Sequence, residues 1–106
     1  MGKSGTQVAF QKFQEMVKPK SRTVYLGEFE VNQVGYLFLS KNANEEAIEV
    51  FEFNVKQHPR SANAHDSLAE AYLKSGNKAQ AIKHYEQSLR LNPKNENAKK
   101  ILAEVK

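Results

Sequence analysis

The side chains able to do chemistry in this chain are few, and their spacing limits what they can do. There is no cysteine, so disulfides and thiolate metal sites are ruled out. The three histidines, His58, His65 and His84, lack the His-Glu-x-x-His spacing that puts two imidazoles and a general base on one helix face. His58 stands before Pro59 at the end of a helical pattern, where its ring can answer open carbonyls. His65 stands in an apolar row, in the place of a core aromatic. Ser4, Ser21 and Ser40 have no fitting partner, and no Ser-x-x-Lys nucleophile occurs in a catalytic context. Glu28 with Glu30, and Glu45 with Glu46, open helical patterns, where the helix dipole favours negative charge. They read as helix-start charges rather than as acid/base pairs. No glycine-rich phosphate loop is present, since Gly35 and Gly76 read as packing and turn residues. The expectation is a protein that is no enzyme, with no metal and no cofactor, whose function lies in binding.

The elements that must position these residues are small. A chain of 106 residues is one domain with a modest core. Its aliphatic, charged and alanine-rich mixture suits a helical protein. No apolar run nears the roughly 20 residues needed to span a bilayer. The opening MGKSG lacks the apolar core of a secretory leader. Residues 1–5 read as a flexible start or an expression remnant; with Thr6 they formally fit a myristoylation pattern, and the plainer reading is preferred. Sixteen basic against twelve acidic residues give a net charge of +4. Lys and Arg are interspersed with Glu instead of gathered on one face, which argues for solvated surface over a nucleic-acid or membrane site. The compartment, cytoplasmic or periplasmic, is left open.

Residues 6–27 form a first helix and a connection. Thr6 is its candidate cap, and Ala9, Phe10, Phe13, Met16 and Val17 follow at helical spacing. Pro19 ends the pattern by steering Lys18 out of the α region. So short a helix is marginal alone, and its phenylalanines must dock on something. The connection would be pinned by Val24, Tyr25 and Leu26. Next comes an apolar pattern of Val31, Val34, Gly35, Phe38 and Leu39, widened by Phe29, Tyr36 and Leu37. Asn42 can adopt the left-handed conformation at its end. Asn44 starts a helix carrying Ala47, Ile48, Phe51 and Val55, closed by His58-Pro59. Ser61 caps a helix with Leu68, Ala69, Tyr72 and Leu73, which Gly76 stops. The following helix carries Ala81, Ile82, Tyr85 and Leu89 and runs to Asn92-Pro93. Asn95 caps the last, with Ala98, Ile101, Leu102 and Val105 on one side and Lys99, Lys100, Glu104 and Lys106 on the other.

The two halves repeat. Val31 and His65, Val34 and Leu68, Gly35 and Ala69, Phe38 and Tyr72 fall at one offset, as do Asn42 and Gly76, Ala47 and Ala81, Ile48 and Ile82, Phe51 and Tyr85, and Pro59 and Pro93. That offset, thirty-four residues, is the period of the tetratricopeptide repeat, and residues 28–93 resemble that family. Small residues stand where the helices of a hairpin approach, large ones where hairpins meet, and prolines close each second helix. The resemblance implies an all-α fold: a short right-handed solenoid of helical hairpins, with repeats at 28–59 and 62–93, a capping helix at 95–106 and an extra N-terminal helix. The family often has Trp near the start of the first helix, where Val31 and His65 stand here, and Ala69 replaces the glycine of the second repeat.

The run from Val34 to Pro93 also resembles the C-terminal repeat segment of certain bacterial serine hydrolases of the penicillin-binding and β-lactamase-like class, and of some esterases. The preceding FQKFQEM is similar to their linker helix. This implies an accessory domain of a larger bacterial hydrolase.

In such a stack the first helix of each hairpin lines a concave face. The expected lining is Phe29, Asn32, Gln33, Tyr36 and Ser40, then Asn63, Asp66, Glu70 and Lys74, then Asn97 and Lys100. Phe29 and Tyr36 are surplus apolar surface; they either meet a partner or lie beneath Phe10 and Phe13. Repeats that clamp acidic C-terminal peptides carry Lys, Arg and Asn on this face. Asn32, Tyr36 and Asp66 do not make such a clamp, so acidic tails are not expected to bind strongly. The function expected is a non-catalytic protein-protein interaction or scaffold module whose partner is a protein or peptide: its own parent domain, another copy, or a separate ligand. The alternative is a structural spacer or self-association domain.

Overall fold

The computed structural model describes residues 5–16 and 27–106. They form six helices: α1 (Gly5–Met16), α2 (Glu28–Ser40), α3 (Asn44–Gln57), α4 (Ala62–Ser75), α5 (Lys78–Leu91) and α6 (Glu96–Val105). There is no strand among the described residues. The fold is the all-α helical-repeat solenoid expected: α2 pairs with α3, α4 with α5, and α6 closes the row. One boundary differs. α1 begins at Gly5, so Thr6 lies inside its first turn instead of ahead of it. The helix-ending role of Pro19 and the anchoring of the connection by Val24, Tyr25 and Leu26 fall outside the described residues.

The repeat is written in hydrogen bonds as well as in residue sizes. Each hairpin turn needs one residue in the left-handed region. Asn42 supplies it at φ 60° and Gly76 at φ 92°, the residue types that tolerate it best. Around them the bonds match: Ala43 N–H donates to Phe38 O at 2.9 Å, and Asn77 N–H to Tyr72 O at 2.8 Å. Near the far end of each hairpin a buried polar side chain reaches back twenty-six residues. Asn54 Nδ2 donates to Glu28 O at 3.1 Å, and Ser88 Oγ to Ala62 O at 2.8 Å. Both acceptors are the first residue of the opposing helix, so the bond sets where the two helices meet. The N-terminal caps follow the same period. Gly27 caps α2 without a side chain, whereas Ser61 Oγ takes the Ala64 N–H at 3.1 Å and Asn95 Oδ1 takes the Ala98 N–H at 3.2 Å.

The core lies between the rows, with Tyr85, Phe38 and Phe51 as its largest fully buried members. A β-carbon on Gly35 would stand 2.2 Å from the Phe51 ring, so this glycine is a contact point. In the second hairpin the same place holds Ala69, buried in one cluster with Tyr85.

Both ends of the stack are covered. Phe10 meets Phe38 edge-on with centroids 5.6 Å apart, and Phe13 meets Phe53 at 5.8 Å. The phenylalanines of α1 thus dock on Phe38 and Phe53, leaving Phe29 65 % exposed. Of the two alternatives for Phe29, cover by α1 is the one the structure does not show, since the α1 rings meet Phe38 and Phe53. At the other end α6 buries Ala98 and Leu102, and Lys106 Nζ bonds Glu86 Oε2 at 2.5 Å.

Gly35→Ala should destabilise the domain by about 2 kcal/mol, the usual scale of overpacking. Urea unfolding followed by circular dichroism measures it, and adding Phe51→Leu should recover part of the loss by withdrawing the ring.

Candidate functional site

α2, α4 and α6 lie side by side and build a front face, with α3 and α5 behind. Residues one period apart hold equivalent positions on these helices: Phe29, Asn63 and Asn97 at one, and Asn32, Asp66 and Lys100 at the next. A third equivalent pair is Tyr36 and Glu70, and here the contact is direct. Tyr36 Oη donates to Glu70 Oε1 at 2.8 Å across thirty-four residues of sequence. The Tyr36 ring also stands edge-on to Phe51, centroids 5.1 Å apart. Tyr36 is therefore a strut between repeats, half-buried, rather than loose apolar surface. Burial pushes its phenol well above the ordinary value; a hydrogen bond with Ser67 opposes this and the bond to Glu70 adds to it.

Asp66 sits at the centre. Asn95 Nδ2 donates to its Oδ1 at 3.4 Å, and the Asn97 side chain bonds it as well. Burial raises its carboxyl above the usual range, the Asn95 bond lowers it, the charge of Glu70 raises it further and Asn97 lowers it. Lys74 turns away from this centre, donating from Nζ to Leu39 O at 2.9 Å, at the carbonyl end of α2. Gln33, Asn63, Asn97 and Lys100 are exposed. The structure thus brings together Tyr36, Asp66, Glu70 and Asn97. It leaves Phe29 at one end of the face, and Lys74 and Lys100 outside the central group.

The residue of chemical interest that the sequence reading left without a role is His84. It stacks on His65 with centroids 5.4 Å apart and on Tyr72 at 5.7 Å. His65 Nε2 lies 3.0 Å from Pro59 O, so it carries the proton and donates there. His65 Nδ1 is then an acceptor, and His84 Nδ1–H, 3.1 Å away, donates to it. His65 does replace a core aromatic, as expected, and it stays in place by spending both nitrogens. Burial, then the charge of His65, then that of Lys83 lower His84 to about 4. A cleft of about 270 Å³ opens beside the pair, walled also by Glu86, Gln87 and Arg90. Among the described residues no three His, Asp or Glu side chains converge as a metal site would need. Asn54 and Ser88 were also missed, although two polar residues one period apart on otherwise apolar helix faces were a visible signal.

The tetratricopeptide repeat family model matches residues 62–95, the second hairpin up to the residue that caps α6. No curated protein matches the chain. Tetratricopeptide repeats are typically non-catalytic and generally mediate binding of proteins or peptides. The first hairpin lies outside the match, yet it carries the same turn and the same reach-back bond one period earlier. No helix among the described residues is long and apolar enough to cross a membrane.

The histidine pair makes stability depend on pH. The folded His84 gives up its proton at about 4, the unfolded one near 6.5. Between these values the unfolded chain binds more protons, so stability is full above pH 6.5 and is lost as pH falls towards 4. Thermal melts at pH 7 and pH 5 should show a lower midpoint at pH 5, and the difference should shrink in His84→Gln.

Proposed function

We propose that this chain is a non-catalytic protein-binding module that receives its partner on the face built by α2, α4 and α6. The observation that carries the reading is the contrast on that face. A Phe29 ring that is 65 % exposed stands at one end of a face whose central polar group is held from neighbouring helices by the Tyr36–Glu70 and Asn95–Asp66 bonds. An exposed aromatic on the same face as a fixed set of polar groups is the ordinary make-up of a binding surface. The ten face residues, Phe29, Asn32, Gln33, Tyr36, Asn63, Asp66, Glu70, Lys74, Asn97 and Lys100, are its candidate lining, with Lys74 and Lys100 at the margin.

Within this reading the module is the accessory C-terminal domain of a larger bacterial serine hydrolase. The resemblance of residues 34–93 and of the FQKFQEM helix to such segments supports it.

A photo-crosslinking amino acid placed at Phe29 should capture a partner in cells, whereas the same group at Glu49 on the rear helix should not. Equal capture from both positions overturns the front-face assignment. Phe29→Ala and Asn32→Ala should lower partner capture while leaving the melting temperature within a few degrees; a spacer would lose nothing. For the accessory reading, the open reading frame should encode a Ser-x-x-Lys catalytic domain ahead of α1, and its absence sinks that part alone.

A further inference from the structure

We infer that the cleft where α4 meets α5, beside the His65–His84 pair, is a binding site for a phosphate monoester group. It lies behind the front face and does not depend on the binding-module reading.

The cleft has a volume of about 270 Å³ and is lined by His65 from α4 and by Lys83, His84, Glu86, Gln87 and Arg90 from α5. Lys83, Gln87 and Arg90 follow one another at a turn's spacing, so they form one stripe along α5. Lys83 has no ion pair among the described residues. Arg90 Nη1 donates to Gln87 Oε1 at 3.1 Å. That bond uses the acceptor of Gln87 and leaves its NH₂ group, with the rest of the guanidinium fork, as donors. The one carboxylate in the lining, Glu86, takes a bond from Lys106 Nζ at 2.5 Å. Arg90 also acts on Glu86, at longer range than Lys106. Glu86 and Lys106 cancel, and the cleft keeps the positive charges of Lys83 and Arg90.

The histidine pair adds a donor that an anion calls up. His65 gives its Nε2 proton to Pro59 O at 3.0 Å, and His84 gives its Nδ1 proton to His65 Nδ1 at 3.1 Å. His84 Nε2 is then the nitrogen left for a ligand, and it has no hydrogen bond among the described residues. Around the ring stand His65 and Tyr72 from α4, with the Tyr72 hydroxyl bonded to Glu52 of α3, and Lys83, Glu86 and Arg90 on α5. Burial, then the charges of His65 and Lys83, keep His84 unprotonated at neutral pH. A bound oxyanion offsets the Lys83 charge and favours the imidazolium, whose Nε2–H can donate to it. Two fixed cations and a third that forms on binding match a phosphate monoester, with its charge of about −2 at pH 7. A carboxylate or a phosphodiester carries half that charge.

The test is titration of the ¹⁵N-labelled full chain, followed by amide chemical shifts at constant ionic strength. Inorganic phosphate should shift the α5 amides and saturate with a Kd on the order of 1 mM or tighter; dimethyl phosphate, a diester, should not. A short phosphoserine peptide that binds tighter than inorganic phosphate assigns the group to a phosphorylated protein, and one that binds equally assigns it to a small phosphorylated molecule. The exposed pair Lys83→Gln with Arg90→Gln should weaken phosphate at least tenfold, whereas Lys94→Gln with Lys99→Gln should not. Sulfate stays doubly charged between pH 7 and pH 5.5, so its pH dependence reports the protein alone. Its affinity should rise about threefold on that fall, and not in His84→Gln. Shifts that never saturate, a diester that binds as well, equal weakening by the two lysine-bearing pairs, or a sulfate affinity indifferent to His84 would each overturn the site.

Discussion

The stack rests on one contact made twice: an aromatic ring from a rear helix laid over the smallest point of the front helix it pairs with. Phe51 lies against Gly35 so closely that no β-carbon fits, and Tyr85 shares its cluster with Ala69. Burying a ring of this size removes enough apolar surface to contribute roughly 2–3 kcal/mol at each site. The closeness has a geometric effect as well. It brings the front helices near enough to their neighbours for side chains one period apart to touch. The Tyr36–Glu70 bond depends on it, because the Tyr36 ring leans on Phe51. Face and core are thus one construction, and the polar groups on the surface inherit their positions from the rings beneath.

Polar groups finish what the rings begin. The Asn54 and Ser88 side chains are buried, and each is held by a main-chain carbonyl at the start of the opposing helix. A buried amide or hydroxyl without such a partner would be a liability; with one, it fixes the sliding register that apolar contacts leave loose. His65 follows the same logic. A histidine can stand in a core row only if both nitrogens are answered, and Pro59 O and His84 Nδ1–H answer them.

Much of this architecture was legible in the chain. The thirty-four-residue period, the left-handed turn residues Asn42 and Gly76, and the caps Ser61 and Asn95 are local chemistry, and local chemistry is written in neighbouring residue types. The front-face positions followed from the period. What the sequence did not disclose depended on approach across the fold. Phe29 and Tyr36 look alike as surplus aromatics, yet Tyr36 is a strut and Phe29 is not, because only one has a ring behind it. The docking of α1 on Phe38 and Phe53 instead of Phe29 was hidden for the same reason: apolar spacing names the face of a helix that docks, not the face that receives it. His84 lay unremarked on a polar-looking surface, since its stacking on His65 and Tyr72 joins residues from separate helices.

The covering of the two ends bears on how large an object this protein can form. Tyr72 on α4 reaches back to Glu52 on the preceding α3, and its counterpart Phe38 on α2 reaches back to Phe10 on α1. Helix α1 thereby fills the place that a preceding hairpin would take. The two sides of a repeat are complementary by construction, so a bare leading side would accept the trailing side of another copy. Such a head-to-tail contact closes into a ring where its rotation allows and otherwise propagates as a filament. The two phenylalanines of α1 and the charged outer side of α6 occupy the two sides through which copies would otherwise stack.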